Sequence, residues 1–460
     1  MTTHTRKETD FLGEVEIPAS ALYGINTVRG VQNLTVSSRQ VGKERALVMA
    51  FAQVKKAAAY ANRDLAQITT PQCDAISRAC DEVESGQHDH EFIVDLMEGS
   101  GGTSTNMNFN EVIACRATQI AGDDVRVHPN DHVNRSQSTN DVVPSAMKMA
   151  AYTMLAPLVQ ELGSLALALE QHSKDFARIL HLGRTCMQDA QPMTLGQVFG
   201  GYAALTHRLA HSLASAREAL RILPLGGTAI GTGFGAPAGY KAVLYPHLCR
   251  VTGVNYEPAA DSFDAMQNLD TFLRVSGELR TVATSLGKVA SDLILLSSGP
   301  HGGLAEVRLP AVQAGSSIMP GKVNPVVPMS IVQLGFAVLG NDVAIAQANQ
   351  AGQLEINHFE PVVADRLFDS IRLLNNGVRL LRTRCIEGLT ARVDNNERHL
   401  LASSALATAL IPHLGYEATS RLVKESDAAG VPLREMLSRR GLMTHDQALV
   451  ALADAARAQP

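Results

Sequence analysis

The stretch 272–296 reads FLRVSGELRTVATSLGKVASDLILL and carries the clearest helical pattern in the chain. Its apolar residues alternate spacings of three and four without a break: Phe272, Val275, Leu279, Val282, Leu286, Val289, Leu293 and Leu296. This alternation places them on one face of a long helix, as in a coiled-coil seam. The opposite face carries the charged residues Arg274, Glu278, Arg280 and Lys288. We expect other copies of the chain to bury a seam of this length, with burial inside the chain as the alternative.

Further helical patterns lie upstream of this seam. One apolar face is formed by Met147, Ala151, Met154, Leu158, Leu162, Leu165 and Leu169, and another by Leu205, Leu209, Leu213 and Leu220. Pro157 lies within the first of these patterns and is expected to kink the helix. Several long helices with apolar faces predict a mainly α protein with a long central helical bundle. Gly-rich stretches at 225–237 and 313–325 separate the helices.

The pattern changes along the chain in a way that predicts three domains. Residues 1–141 mix short helical patterns with polar and Gly-rich loops, which indicates an N-terminal mixed α domain that carries active-site loops. Residues 142–395 contain the long helices of the bundle. Shorter helices follow, so 396–460 is expected to be a small C-terminal helical domain.

Composition narrows the class of protein. Hydrophobic residues make up 45% of the 460 residues, but aromatic residues only 4%, and Trp is absent, so Leu, Ala, Val and Met must fill the core. That set suits packing of helix on helix better than a β-sandwich. The net charge is -5, and no basic patch stands out, which excludes nucleic acid as a partner.

The sequence also bears on the cellular compartment. Six cysteines are scattered without a CxxC pair, which is typical of free thiols in a reducing compartment. The polar N-terminus MTTHTRKETDF lacks the apolar core of a signal peptide, and no uninterrupted apolar run reaches a membrane-spanning length. We therefore expect a cytoplasmic protein without a membrane partner.

The second Gly-rich stretch, QAGSSIMPGKVNP at 313–325, has the composition of an anion-binding loop. Gly315 and Gly321 permit backbone conformations that other residues avoid, and Pro320 stiffens the middle. The hydroxyls of Ser316 and Ser317, the ammonium of Lys322 and the amide of Asn324 are available to a carboxylate or a phosphate. The loop is not a Walker A motif, because the GxxxxGK[ST] spacing is missing. Taken alone, it fits an ordinary loop as well as a binding site.

Two further segments combine glycine with short polar side chains. In GGTSTNMNFNEVIA, at 101–114, we expect Thr103 to face a substrate, whereas Ser104 and Thr105 suit capping or packing of the helix that follows. In HVNRSQSTND, at 132–141, short polar side chains are denser than a turn requires. Such neutral donors and acceptors suit a carboxylate and an amine.

Together these segments resemble a known family. GSSIMPGKVNP resembles the signature of the aspartase/fumarase superfamily, and GGTSTNMNFNEVIA and HVNRSQSTND resemble its other two shared active-site regions. ETDFLGEVEIPASALYGINTVRGVQN and GRTCMQDAQPMTLGQ are similar to further family segments. The forms TSTNMN, SQSTND and PGKVNPVVP are most similar to those of aspartases, with fumarases second.

The resemblance implies a fold, an assembly and a reaction. It implies a homotetramer with a twenty-helix core, in which three subunits contribute to each active site. The implied reaction is the reversible anti elimination of ammonia from L-aspartate to give fumarate, without a cofactor. Alternatives are a class II fumarate hydratase, a C–N lyase acting on an N-substituted aspartate, and, more remotely, a non-catalytic structural relative. No His, Asp or Glu cluster has metal-ligand spacing, so no metal is predicted.

The resemblance also assigns roles to residues. Ser316 matches the catalytic base on a mobile loop, and it would need backbone N–H groups and Lys322 to stabilise its alkoxide. The residues matching the substrate-binding set are Thr103, Ser138, Thr139, Asn140, Thr185, Ser317, Lys322, Asn324 and, in the N-terminal region, Arg29. Asn140 matches the contact to the leaving group.

Two positions depart from the family pattern. Cys186 stands where the family has His or Gln, and Met329 stands where it has Glu. Loss of both ionisable side chains together leaves no single buried charge behind. The change is therefore either neutral or the mark of an altered leaving-group pocket that accepts a substituted amine.

Overall fold

A computed structural model describes residues 4–122, 124–403 and 405–457 of the chain. It is mainly helical, which confirms the predicted fold class. The helices are α1 Ile25–Leu34, α2 Arg45–Asp64, α3 Thr70–Glu84, α4 Thr103–Ala121, α5 Thr139–Asp175, α6 Leu195–Glu218, α7 Tyr240–Thr252, α8 Ser262–Gln267, α9 Asp270–Leu296, α10 Val326–Ala351, α11 Glu360–Leu381, α12 Val393–Ala402, α13 Ala405–Leu414, α14 Tyr416–Ala429, α15 Leu433–Arg439 and α16 His445–Ala455.

The strands are short and form two-stranded sheets. Three sheets are antiparallel: β1 Thr5–Asp10 with β2 Gly13–Pro18, β3 Leu180–Thr185 with β4 Gln188–Thr194, and β7 Val307–Arg308 with β8 Thr390–Ala391. The fourth is parallel and pairs β5 Ile222–Leu223 with β6 Glu257–Pro258. Two-stranded sheets of this size have no core of their own, so they depend on packing against helices.

The apolar seam of 272–296 lies on α9 as predicted. All eight seam residues are buried, from Phe272 to Leu296. They are buried within a single chain, so the expectation that other copies bury this seam is wrong. Apolar side chains are instead exposed on α10, where Phe336 is 69%, Leu339 37% and Val343 62% exposed.

Helix α5 follows its predicted apolar face with one shift. Leu155 is fully buried, whereas Met154 is only half-buried, and the predicted positions are buried again from Leu158 onward. The helix is unbroken through Pro157. By length and mean hydropathy alone, α5 and α10 would be long enough to cross a membrane. Two thirds of the relevant window of α5 is buried inside the chain, as in the core helix of a globular protein.

The chain forms two compact units from separate segments. The first unit comprises Met1–Leu158, Ser212–Arg280 and Ala337–Leu374, and the second comprises Val159–His211, Thr281–Phe336 and Asn375–Pro460. In the first, Phe109 stacks between Phe51 and Phe92 with ring centroids 4.2 and 4.1 Å away. In the second, Leu182 of β3 packs into the apolar cluster of the C-terminal helices. The three domains predicted from the sequence remain a prediction.

Candidate active site

Ser316 lies in an irregular segment of the second unit, between β7 and α10. Its Oγ accepts hydrogen bonds from the backbone N–H groups of Ile318 at 3.2 Å and Met319 at 3.0 Å. Two N–H dipoles directed at one oxygen favour negative charge on that oxygen. The loop therefore supplies the backbone donors that an alkoxide at Ser316 requires.

The Ser316 loop is closed at its base by a pair of backbone-directed hydrogen bonds. Gly315 N–H donates to the carbonyl of Lys322 at 2.8 Å, and the Asn324 side-chain N–H donates to the carbonyl of Gly315 at 2.7 Å. A Cβ on Gly315 would lie 2.7 Å from the backbone nitrogen of Asn324, so only glycine permits the two backbone segments to approach this closely. Ser317 and Lys322 are exposed.

In the first unit, α4 begins at Thr103 after two glycines in the left-handed region. Gly101 and Gly102 have φ of 66° and 91°, and a Cβ on Gly102 would lie 2.8 Å from Val143. Thr103 is exposed at the helix N-terminus, where backbone N–H groups and the helix dipole favour an anion. Ser104 and Thr105 are buried, as expected of packing residues.

A buried lysine links the two polar motifs of the first unit. Lys55 Nζ donates to the side-chain oxygens of Asn106 at 2.8 Å, Asn134 at 3.0 Å and Gln137 at 3.1 Å. Asn106 in turn donates to Thr139 Oγ1 at 3.2 Å. Burial lowers the pKa of Lys55 to about 7, and the charge of Asp141 opposes that shift.

Sequence reasoning missed Lys55, although a signal was present. It lies on an alanine-rich helix at the spacing of Phe51, Ala58 and Asn62, which are all buried. A lone cation on an apolar helical face must have partners inside the protein. That pattern predicts a buried polar network, but not which residues complete it.

Asp141 holds the start of α5 to the first Gly-rich stretch. One carboxylate oxygen accepts the Ser138 N–H at 2.9 Å, and the other accepts the N–H groups of Gly226 at 2.8 Å and Thr228 at 3.1 Å. Asn140 Nδ2 donates to the Ala229 carbonyl at 2.8 Å. Asp141 is fully buried, and burial raises its pKa to about 6.

Arg29 lies on α1 and is engaged by an acidic partner. Its guanidinium contacts both carboxylate oxygens of Asp10 at 2.7 Å and the carbonyl of Gly13 at 3.1 Å. The hydrogen bond from Arg29 lowers the pKa of Asp10. Glu111 fixes the N-terminus of the same helix through hydrogen bonds from the backbone of Gly24 and the hydroxyl of Thr27.

Thr185 and Cys186 lie at the tip of the β3–β4 hairpin. Thr185 pairs with Gln188, and the two turn residues between them, Cys186 and Met187, have φ of 51° and 63°. Two consecutive left-handed residues are typical of a type I′ turn, which favours Asn and Gly. Cys186 is exposed. In the same unit, Met329 lies in the first turn of α10 and is 42% exposed.

The predicted site residues divide between the two units. Arg29, Thr103, Ser138, Thr139 and Asn140 belong to the first, where Asn106 connects the segment of Thr103 to that of Thr139. The second unit contains Thr185, Cys186, Ser316, Ser317, Lys322, Asn324 and Met329. Across residues 4–122, 124–403 and 405–457, no group of three or more His, Cys, Asp or Glu side chains has the arrangement of a metal site.

Comparisons with known proteins identify the family. A family model described as lyase matches residues 13–340, and one described as the fumarase C C-terminus matches residues 406–452. An aspartate ammonia-lyase from Helicobacter pylori is 43% identical over 96% of this chain and 95% of that protein, and one from Escherichia coli is 40% identical over 96% and 94%. The chain belongs to the aspartase/fumarase superfamily.

Solved structures of the aspartase/fumarase superfamily share the fold of this chain. A fumarate lyase:delta crystallin from Brucella melitensis, solved bound to cobalt, is 41% identical and superposes with a TM-score of 0.94 over 98% of this chain and all of that one. A class II fumarase from Schistosoma mansoni is 34% identical, with a TM-score of 0.92 over 98% and 99% of the two chains. Membership confirms the resemblance carried by the three motifs.

Proposed function

We propose that this chain catalyses the reversible anti elimination of ammonia from L-aspartate to give fumarate. The observation that carries the proposal is the Ser316 hydroxyl, which accepts two backbone N–H groups and so is suited to act as an alkoxide base. Relatives named aspartate ammonia-lyase are 39 to 43% identical over almost the whole chain, which supports ammonia as the leaving group.

In the proposed reaction, Ser316 as alkoxide takes the proton from the carbon that adjoins one carboxylate. The electron pair left on carbon spreads into that carboxylate, which Thr103, Ser138, Thr139 and Ser317 would bind. The pair then forms the double bond as the C–N bond breaks, and the amine nitrogen keeps the bonding electrons and leaves as ammonia. Neutral donors placed in advance stabilise the developing charge without reorganising.

The remaining residues are assigned to the other end of the substrate. Thr185, Lys322 and Asn324 would hold the second carboxylate, with Arg29 as a further contact, and Asn140 would contact the amine. Such an elimination forms no covalent enzyme intermediate and transfers no electrons to a cofactor, so we propose that none takes part. We also infer a cytoplasmic homotetramer with sites shared by three subunits, and the apolar side chains exposed on α10 support self-association.

The test is the ultraviolet absorbance of fumarate formed from L-aspartate and, separately, from L-malate. We expect product from aspartate alone. Ser316→Ala should lower kcat by at least about a hundredfold, the usual scale for loss of a general base. Ser330→Ala is the matched control, since Ser330 is exposed on α10 and its hydroxyl donates only within its own helix, to the carbonyl of Val326. Product from malate alone would instead make the chain a fumarate hydratase.

A second candidate is a C–N lyase that releases a substituted amine. Cys186 is exposed at its turn, and Met329 lines an apolar surface groove with Ile294, Leu295 and Val332. Uncharged, apolar side chains at these positions favour an alkyl group over a small polar one. Addition of methylamine and larger amines to fumarate distinguishes the two, because an aspartase should prefer ammonia. Inertness of a folded assembly toward every amine and toward malate would leave only the non-catalytic relative.

A further inference from the structure

The Gly-rich stretch at 225–237 has no role in the proposed reaction, yet part of it contacts residues that do. Residues 225–231 follow β5 in the first unit, and Gly226, Gly227 and Thr228 are buried. The loop is anchored by the hydroxyl of Tyr245, which donates to the carbonyls of Leu223 at 3.0 Å and Leu225 at 3.2 Å. Its backbone is therefore fixed by α7 from one side.

From the other side, the loop is fixed by the first turn of α5. A single carboxylate oxygen of Asp141 accepts the N–H groups of Gly226 and Thr228, while the other oxygen accepts that of Ser138. Charged acceptors make the stronger class of hydrogen bond, and this one is fully buried. One side chain thus sets the distance between the loop and the segment that carries Ser138 and Asn140.

The loop backbone adopts conformations that require an external cause. Gly226 and Gly231 have φ of 88° and 107°, and Thr228, which is not a glycine, has φ of 56°. A left-handed β-branched residue is strained by roughly 1–2 kcal/mol. Such strain persists only where the surroundings impose it, and here Asp141 accepts the N–H groups of the strained residue itself and of Gly226, two residues before it.

The fixed loop in turn determines the orientation of the Asn140 side-chain amide. Its Nδ2 donates to the carbonyl of Ala229 at 2.8 Å, and because a carbonyl only accepts, the nitrogen must face the loop. Among the residues that the structure describes, none donates to the other amide atom, Oδ1. Asn140 is half-buried, so this oxygen is an acceptor held in one orientation at the edge of the protein.

We propose that residues 225–231, held by Asp141, form a positioning element that orients Asn140 so that its oxygen accepts a hydrogen bond from the leaving amine. The inference rests on the proposed elimination, in which Asn140 contacts the leaving group. An acceptor oxygen favours an ammonium or a protonated amine, since its N–H groups donate and its charge strengthens the bond. Asp141 and Gly226 act through Asn140 and touch no substrate themselves.

The experiment crowds the loop without altering α5. Gly226→Ala places a Cβ 2.7 Å from Lys241 Cγ, so the loop or the lysine must move. Gly235→Ala is the matched control: Gly235 has φ of 85°, almost that of Gly226, but its Cβ would meet no atom within 4 Å. Both variants place alanine at nearly the same φ, so they differ in the close contact with Lys241.

The readout is the addition of ammonium to fumarate, with KM measured for each reactant. Gly226→Ala should raise KM for ammonium about tenfold, the scale of one weakened hydrogen bond to a charged group, while KM for fumarate changes less than about twofold. Gly235→Ala should change neither. In an Asn140→Ala background, Gly226→Ala should have no further effect on the ammonium KM, because the loop acts only through that amide.

The other outcomes separate the positioning role of the loop from the proposed elimination. Equal changes in both KM values, or effects that add in the Asn140→Ala background, would overturn the positioning role and leave the elimination intact. Inertness of the unmodified chain and of Gly235→Ala would overturn the proposed function itself. If circular dichroism shows that Gly226→Ala does not fold, Gly231→Ala crowds the other end of the same loop, because its Cβ would lie 3.0 Å from the backbone nitrogen of Phe263, and it must give the same pattern.

Discussion

At the scale of single residues, the buried polar side chains determine how the two motifs of the first unit are held. Lys55 carries three donors and meets three side-chain oxygens, so each N–H of its ammonium has a partner. Asp141 likewise receives three backbone N–H groups. Buried charged groups are stable inside a protein only when every donor and acceptor is matched. Removing one partner therefore causes a large loss of folding stability.

We predict that Lys55→Met destabilises the protein by about 3–5 kcal/mol, because it leaves buried oxygens without donors and Asp141 without a nearby positive charge. The neighbouring Lys56→Met is the matched control. Lys56 pairs with the half-exposed Asp81, and such surface pairs are worth at most about 1 kcal/mol. Denaturant unfolding of both variants measures the difference, and equal stabilities would show that the Lys55 network is not required for folding.

Hydrogen bonds between individual residues were the hardest features to predict from the sequence. Asp141 and Gly226 are separated by 85 residues and Lys55 and Asn106 by 51, and neither pair leaves a periodic trace. The sequence predicts Ser138, Thr139 and Asn140 as site residues because short polar side chains cluster there and the segment resembles a family motif. It does not predict the residues that support them, since a buried hydrogen bond depends on tertiary packing that local pattern does not encode.

At the scale of elements, the periodicity of apolar residues predicted which face of a helix is buried. The α9 seam was correct at all eight positions because heptad spacing alone defines a helix face. The prediction that other copies of the chain bury this seam was wrong. The pattern shows which face of the helix is buried, but it does not show which residues cover that face. On α5, Leu155 is buried in place of Met154, because a helix that continues from Ala151 to Leu158 can place either the third or the fourth residue on its buried face, and the sequence pattern does not say which.

The β3–β4 hairpin carries a prediction at this scale. Its turn forces Cys186 and Met187 into the left-handed region, where glycine is unstrained. Met187→Gly should therefore raise stability by roughly 0.5–1 kcal/mol, after the greater freedom of glycine in the unfolded chain is counted.

The control introduces glycine one position further along the chain. Gln188→Gly lies in β4, where the backbone is extended, and should lower stability by a similar amount. Chemical unfolding midpoints measure both variants. A loss of stability in Met187→Gly would mean that the methionine side chain contributes more than its backbone conformation costs.

At the scale of the whole molecule, the question is what covers α10. Its exposed row of Phe336, Leu339 and Val343 is too apolar for a free surface, and the site residues already divide between two units of the chain. If copies of the chain assemble through this helix and share active sites, then assembly and turnover must be lost together. A charge placed in the row tests both at once.

We predict that Val343→Asp gives a smaller species in size-exclusion chromatography with light scattering and loses at least about tenfold in turnover, because an interface cannot bury an unpaired carboxylate without a large penalty. Val450→Asp is matched to it: Val343 and Val450 are 62% and 61% exposed, and both lie within helices. The control should keep the mass and the turnover of the unmodified chain. A Val343→Asp variant of native mass would remove α10 from the interface, whereas a smaller species with full turnover would mean that each chain holds a complete site.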